Sequence, residues 1–190
     1  MGADTKIIAF GHRTGVGKDT AAKMLISEMR LSGKYPRGVK KVSFAKPLKD
    51  AAYVIWKCYG IKPGDYYEDN WKEKDTVLRT VNMTPRGLWI ELGQKVRSIY
   101  GDSWRDAALG EGQDCDALII TDLRFINEAN GVHERNGLCI CVESNRTDVW
   151  NKSDFELKNW TGFDDLLNNN GTLSELHENV MQLAARKGIL

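Results

Sequence analysis

"KIIAFGHRTGVGKDTAAKMLISEM", residues Lys6 to Met29, changes its periodicity halfway along, and that change decides the architecture of the chain. Lys6 to Phe10 is a short, isoleucine-rich run closed by Gly11, the pattern of a strand buried on both faces of a parallel sheet. From Lys18 the apolar residues Ala21, Ala22, Leu25 and Met29 recur on one helical face until Gly33 ends the segment. Between them lies "GHRTGVGKDT", Gly11 to Thr20. A glycine loop between strand and helix lets successive backbone N–H groups converge on an anion where the helix dipole also favours negative charge.

The loop departs from the phosphate-binding pattern G-x-x-x-x-G-K-[ST] at two letters. His12 stands where the first glycine is expected, and Asp19 where the hydroxyl is expected, with Thr20 one place late. Arg13, Thr14, Gly15, Val16, Gly17, Lys18, Asp19 and Thr20 form the expected ATP-binding loop, with Lys18 reaching the β and γ phosphates. His12 is tolerable if its backbone is not left-handed, and is expected to leave phosphate binding intact. The plainer alternative is a glycine-rich turn that merely joins strand to helix.

Downstream, "KKVSF" (Lys40 to Phe44) reads as a second strand and "KPLKDAAYVIWKCYG" (Lys46 to Gly60) as a helix with Pro47 in its first turn. Residues 61–82 are polar, aromatic and poorly periodic, and read as an insertion or mobile flap. "ALIIT" (Ala117 to Thr121) is a third strand ending at Asp122, followed by a helix near Phe125 to Arg135. "LCICVES" (Leu138 to Ser144) is a fourth, followed by a polar stretch to Thr161 able to close over a ligand. A short strand, a turn at Asn170 and Gly171, and a helix capped by Thr172 with Glu175 three residues on complete the chain. Strands alternating with helices imply a parallel sheet covered on both faces, an α/β fold.

The chain of 190 residues suits a single domain, and its net charge of +1 argues against a broad nucleic-acid footprint. Four cysteines without a C-x-x-C pair or the His/Cys spacing of a zinc site point to a reduced, cytoplasmic protein, and Cys139 and Cys141 read as core packing on one strand face. No apolar run is long enough to span a bilayer and the N-terminus lacks the order of a signal peptide, so no membrane partner is expected.

Asp122 falls at the carboxyl end of a buried strand, where ligands bind in open parallel sheets, and Arg124 follows two residues later. A carboxylate there can hold magnesium through water, and the arginine can clamp a phosphate. The structural alternatives are an Asp122 helix cap and an Arg124–Glu128 ion pair.

"GKDT" (Gly17 to Thr20), "FAKPLKDA" (Phe44 to Ala51), "LGQKVRSIYGDSW" (Leu92 to Trp104), "DLRFINEA" (Asp122 to Ala129) and "NNNGTLSEL" (Asn168 to Leu176) together resemble the phage deoxynucleoside monophosphate kinases. These are P-loop enzymes akin to adenylate kinase. The resemblance covers nearly the whole chain in order, and the aspartate after the lysine is usual in that family. It implies a three-layer α/β/α P-loop kinase fold with a five-stranded parallel sheet. The expected core is 5–45, 115–145 and 162–190, with a helical acceptor-binding insertion over about 46–112 and a lid over about 145–161. It also implies transfer of the γ-phosphate of ATP, with Mg2+, to a deoxynucleoside 5′-monophosphate in the cytoplasm of a host cell.

Such an acceptor is already ionised, so the reaction needs positioning and charge neutralisation rather than a strong base. Lys18, Asp122 and Arg124 are the expected catalytic residues, and Asp19, Thr20 and Asp122 the expected magnesium set. Lys46, Lys49, Arg86, Gln94, Arg97, Arg124 and Glu128 are the expected acceptor-binding set, and Arg146 a lid arginine on ATP. Arg86 and Arg97 lie eleven residues apart, near three helical turns, on a face shared with Gly93 and Gln94. Leu88, Leu92, Val96 and Ile99 are expected to seat the opposite face on the core. Two other readings stand beside this one: a kinase acting on a modified base such as 5-hydroxymethyluracil within DNA, and a noncatalytic nucleotide-binding module. The sequence leaves the preferred base and a homodimer open.

Overall fold

A computed structural model describes residues 5–112, 114–145 and 156–190. In chain order these form β1 (Lys6–Gly11), α1 (Lys18–Leu31), β2 (Val39–Val42), α2 (Ala45–Trp56), α3 (Tyr66–Asp69) and α4 (Pro85–Ile99). They continue with α5 (Ser103–Gly110), β3 (Ala117–Leu123), α6 (Ile126–His133), β4 (Leu138–Glu143), β5 (Asp165–Asn168) and α7 (Leu173–Arg186). Two compact units make up the chain: Met1–Ser43 with Leu109–Leu190, and Phe44–Ala108. The insertion expected from the sequence spans about 46–112.

The first unit holds a five-stranded sheet in the order β2-β3-β1-β4-β5, parallel throughout. From β1 the chain builds β2 and β3 on one side, then crosses to build β4 and β5 on the other. The carboxyl end of β1 is therefore the switch point of the sheet, where a crevice opens for ligands.

Both faces of the strands are apolar because both are covered. Ile8, Phe10, Ile119, Ile140 and Val142 pack with Ala21, Ala22, Leu25 and Met29 of α1 and with Leu176, Val180 and Leu183 of α7. The alternate residues face α6, where Cys139 Sγ lies 3.8 Å from the Ala129 carbonyl oxygen. The result is a three-layer α/β/α fold, as the alternating strands and helices imply. The Thr172 cap also forms as read: its hydroxyl accepts the Glu175 N–H at 3.2 Å, and the Glu175 carboxylate accepts the Thr172 N–H at 2.6 Å.

Several boundaries move. β2 ends at Val42, because Phe44 is already buried at the start of α2. α2 stops at Trp56, and a 3-10 turn at Lys57–Tyr59 ends on left-handed Gly60 (φ 98). β3 runs one residue beyond Asp122. The segment read as an insertion or mobile flap belongs to the second unit and supplies anchors to its core. Ile61 and Leu78 join its core with Ala52 and Leu88, and Tyr67 packs edge-on against Trp89 at 5.1 Å. Those anchors are too irregularly spaced to show a period.

The face assignment on α4 also changes. Pro85, Leu88 and Gly93 are its buried residues, Trp89 and Leu92 are packed against the same core, and Ile99 is 86% exposed. Gly93 belongs to the seated face: a Cβ there would lie 3.2 Å from Leu48 Cδ2, and its carbonyl accepts the Trp104 indole N–H at 3.3 Å. Gly93 thus admits a neighbouring leucine, and Ile99 lies past the last core contact of the helix.

Candidate functional site in the glycine loop

The loop between β1 and α1 is held in left-handed turns, with φ of 99 at His12, 83 at Gly15 and 95 at Gly17. Gly15 and Gly17 have the freedom this demands. His12 does not, so the condition under which it was tolerable fails. A side chain at such an angle costs on the order of 1–2 kcal/mol. Its imidazole is buried, Nδ1 lies 3.3 Å from the Val142 carbonyl oxygen, and its ring meets Phe163 edge-on. Burial pushes the ring's pKa down, more than the Val142 carbonyl raises it.

Val16, fully buried, pins the crest of the loop to the core. Asn169, just past β5, reaches back and donates its amide to the Val16 carbonyl at 2.9 Å. A Cβ on Gly17 would collide with that amide nitrogen. Gly17 is also the N-cap of α1 and gives that helix no side-chain cap, so α1 opens with backbone N–H groups at the loop. Asn169 lies in the "NNNGTLSEL" stretch, where its residue type alone does not mark it for this contact.

Lys18 is buried, and its ammonium donates to the carbonyls of His12 at 3.0 Å and Arg13 at 2.6 Å. The charge is folded onto the loop it must serve, and a phosphate can take over the donors that the two carbonyls hold. Arg13 donates to the Ser144 carbonyl, at the end of β4, at 2.5 Å. Thr14 and Thr20 are half-buried on the same loop and first helical turn.

Asp19 takes a partner the sequence did not suggest. Its carboxylate is exposed and lies 2.9 Å from Lys41 Nζ of β2. Partial burial alone would push its pKa up, but hydrogen bonds from Lys41 and Thr121, with the nearby Lys18 charge, hold it below the usual carboxylate value. Lys41 was overlooked because a lysine in a short strand carries no distinguishing pattern.

Asp122 stands half-buried near the end of β3, the strand paired with β1 in a register that sets Gly11 beside Leu123. The loop and Asp122 therefore share one end of the sheet. Asp122 and the Thr20 hydroxyl are hard oxygen donors suited to hydrated Mg2+, whereas Asp19 is engaged by an ammonium that repels a divalent cation. Glu128 is 2% exposed and accepts the backbone N–H groups of Arg124 at 3.0 Å and Phe125 at 3.2 Å. Asp122 is not the cap of α6: Phe125 occupies that position, and Glu128 supplies the carboxylate.

In the second unit, Lys46 pairs with Asp50 at 2.6 Å, and Lys49 stands over the Trp89 ring at 5.5 Å. Arg86 forms a two-point ion pair with Asp75, at 2.5 and 3.2 Å, which raises its pKa. Gln94 is exposed and Arg97 half-buried on the same helix. Arg146 lies outside the described residues.

No helix among the described residues is long and apolar enough to cross a membrane. No family model matches the chain. The chain is 25% identical to a protein of Acanthamoeba polyphaga mimivirus named "Putative deoxynucleotide monophosphate kinase", covering 88% of this chain and 90% of that one. Among solved structures, it overlaps a sugar kinase from Janibacter sp. HTCC2649 at 14% identity and a TM-score of 0.45, covering 97% of this chain and 95% of that one. A gluconokinase from Sinorhizobium meliloti 1021 overlaps at 9% identity and 0.47, covering 97% and 94%. A shikimate kinase from Bacteroides thetaiotaomicron overlaps at 10% identity and 0.45, covering 96% and 98%.

Proposed function

We propose that the protein transfers the γ-phosphoryl group of ATP to the 5′-phosphate of a deoxynucleoside monophosphate, giving ADP and the deoxynucleoside diphosphate. The observation that carries the reading is the placement of Lys18. It follows two left-handed glycines at the first turn of α1, with Asp122 at the same end of the adjacent strand. The mimivirus relative's name supports the deoxynucleotide acceptor.

In this reading the loop amides and Lys18 hold the phosphates, with the ammonium exchanging the His12 and Arg13 carbonyls for phosphate oxygens. Asp122 and Thr20 hold magnesium, which neutralises charge on the triphosphate when bound. An acceptor phosphate oxygen bonds to the γ-phosphorus as the bond to the β-γ bridging oxygen breaks, so no proton need leave a weakly acidic group. Arg124, Arg86 and Arg97 supply cations for the acceptor and for charge developing in transfer. Lys46, Lys49, Gln94 and Glu128 are proposed to support acceptor binding. Arg86 reaches a phosphate only by releasing Asp75, which makes that pair a competitor of the acceptor.

The test is a panel of deoxynucleoside monophosphates incubated with ATP and magnesium, using the parent and Lys18→Ala. The reading expects a diphosphate from at least one acceptor and its loss in the variant. No product from any acceptor, with parent and variant alike, refutes it.

A further inference from the structure

The one loop residue that phosphate binding leaves unexplained is His12, and its surroundings carry a separate chemistry. β1 and β4 are paired with Gly11 beside Cys141, so the residue after Gly11 emerges next to the end of β4. Cys141 and Glu143 are two apart on that strand and point to the same face. One ring nitrogen of His12, the Cys141 sulfur and a Glu143 carboxylate oxygen all lie within 4.8 Å of one another. The three line an open pocket of about 330 Å3 whose other walls include Trp160 and Phe163.

We infer that His12, Cys141 and Glu143 form a binding site for a thiophilic divalent cation of the zinc class, distinct from the magnesium that accompanies ATP. A thiol, an imidazole and a carboxylate make a mixed sulfur, nitrogen and oxygen donor set, which suits Zn2+ and not Mg2+. Tetrahedral zinc with bonds of about 2.0–2.3 Å needs its donor atoms roughly 3.3–3.8 Å apart. The three donor atoms already lie within 4.8 Å of one another, and the exposed side chain of Glu143 has the freedom to bring its carboxylate closer. The pocket leaves room for water as a fourth ligand.

Two further observations favour a ligand. The backbone at His12 is held where glycine is preferred, and such strain is retained where the side chain has a task. The His12 Nδ1 contact with the Val142 carbonyl at 3.3 Å also holds the ring beside β4. Binding replaces the S–H proton of Cys141 with a sulfur–zinc bond and releases that proton to solvent; no electron changes hands. Because the His12 carbonyl accepts from Lys18, a metal on the ring braces the loop at the residue that steadies the lysine.

Zinc titration of the full chain by calorimetry, with cobalt absorption as the spectroscopic signature, tests the site without reference to activity. One equivalent per chain and a thiolate-to-cobalt charge-transfer band are expected. Affinity should fall at least about 100-fold in His12→Gly and Cys141→Ala, and about 10-fold or more in Glu143→Gln. It should be unchanged in Cys58→Ser, whose thiol is exposed, and in Asp164→Asn, which removes the carboxylate of the other His, Cys and Asp grouping, His133, Cys139 and Asp164. Glycine suits the backbone at position 12 and Glu143 is exposed, so those two variants test the site even if Cys141→Ala folds poorly. The inference is overturned by a parent that binds no zinc, by a cobalt complex without the thiolate band, or by affinity that survives both His12→Gly and Glu143→Gln.

Discussion

Replacing Gly17 with alanine puts a methyl carbon at a φ of 95 and drives it into the Asn169 amide nitrogen. Two costs follow. Left-handed backbone with a Cβ costs about 1–2 kcal/mol. Displacing the carboxamide also breaks its 2.9 Å bond to the buried Val16 carbonyl, which costs about 1–3 kcal/mol for an acceptor left without its donor. The sum is about 2–5 kcal/mol in the parent. In an Asn169→Ala background the obstruction and the hydrogen bond are both gone, so the same substitution should cost only the backbone part, about 1–2 kcal/mol. Urea unfolding of the parent, both single variants and the double variant yields the coupling, expected at about 1–3 kcal/mol. If Gly17→Ala costs the same in both backgrounds, within about 0.5 kcal/mol, Asn169 does not brace the loop.

Asp122→Asn should reduce turnover by about 100-fold or more, because the side chain is assigned to the metal; steady-state rates at saturating ATP and magnesium check it. Asp75→Ala should lower the Michaelis constant for the monophosphate acceptor severalfold by freeing Arg86 from its exposed pair, with that for ATP unchanged. Thr172→Ala should destabilise the protein by about 1 kcal/mol through loss of the α7 cap. Hydrogen bonds from the Thr172 backbone N–H and hydroxyl hold the Glu175 carboxyl below its ordinary value of 4.5. That contribution is present above pH 4.5 and lost as pH falls through the lower folded value, so acid unfolding of Thr172→Ala should show a weaker dependence there.

The sheet was legible because its strands are apolar on both faces and its helices are not, so Ile8, Ile119 and Ile140 stood out from Ala21, Leu25 and Met29 by period alone. The glycine loop was legible for the same reason, lying where one period gives way to the other. The second unit was harder to read. Its core draws on Ile61, Leu78 and Trp89 from turns and one helix, and that set has no single period. On α4, Leu88 and Leu92 seat the helix as the pattern implies, but a helical wheel cannot say that Gly93 meets Leu48 or that Ile99 is left exposed. Contacts between segments distant in sequence, such as Asn169 with Val16 and Lys41 with Asp19, lie beyond any local pattern. His12 was legible as an exception, but its left-handed backbone and its place beside Cys141 follow from the pairing of β1 with β4.

The measurement that bears most directly on the proposed activity is phosphorus NMR of one reaction mixture containing the protein, ATP, magnesium and a deoxynucleoside monophosphate. Transfer predicts that the acceptor's monophosphate signal is replaced by the paired signals of a diphosphate, in step with ADP and without matching orthophosphate. An unchanged acceptor signal for every base tried, with ATP either intact or lost to orthophosphate, would contradict it.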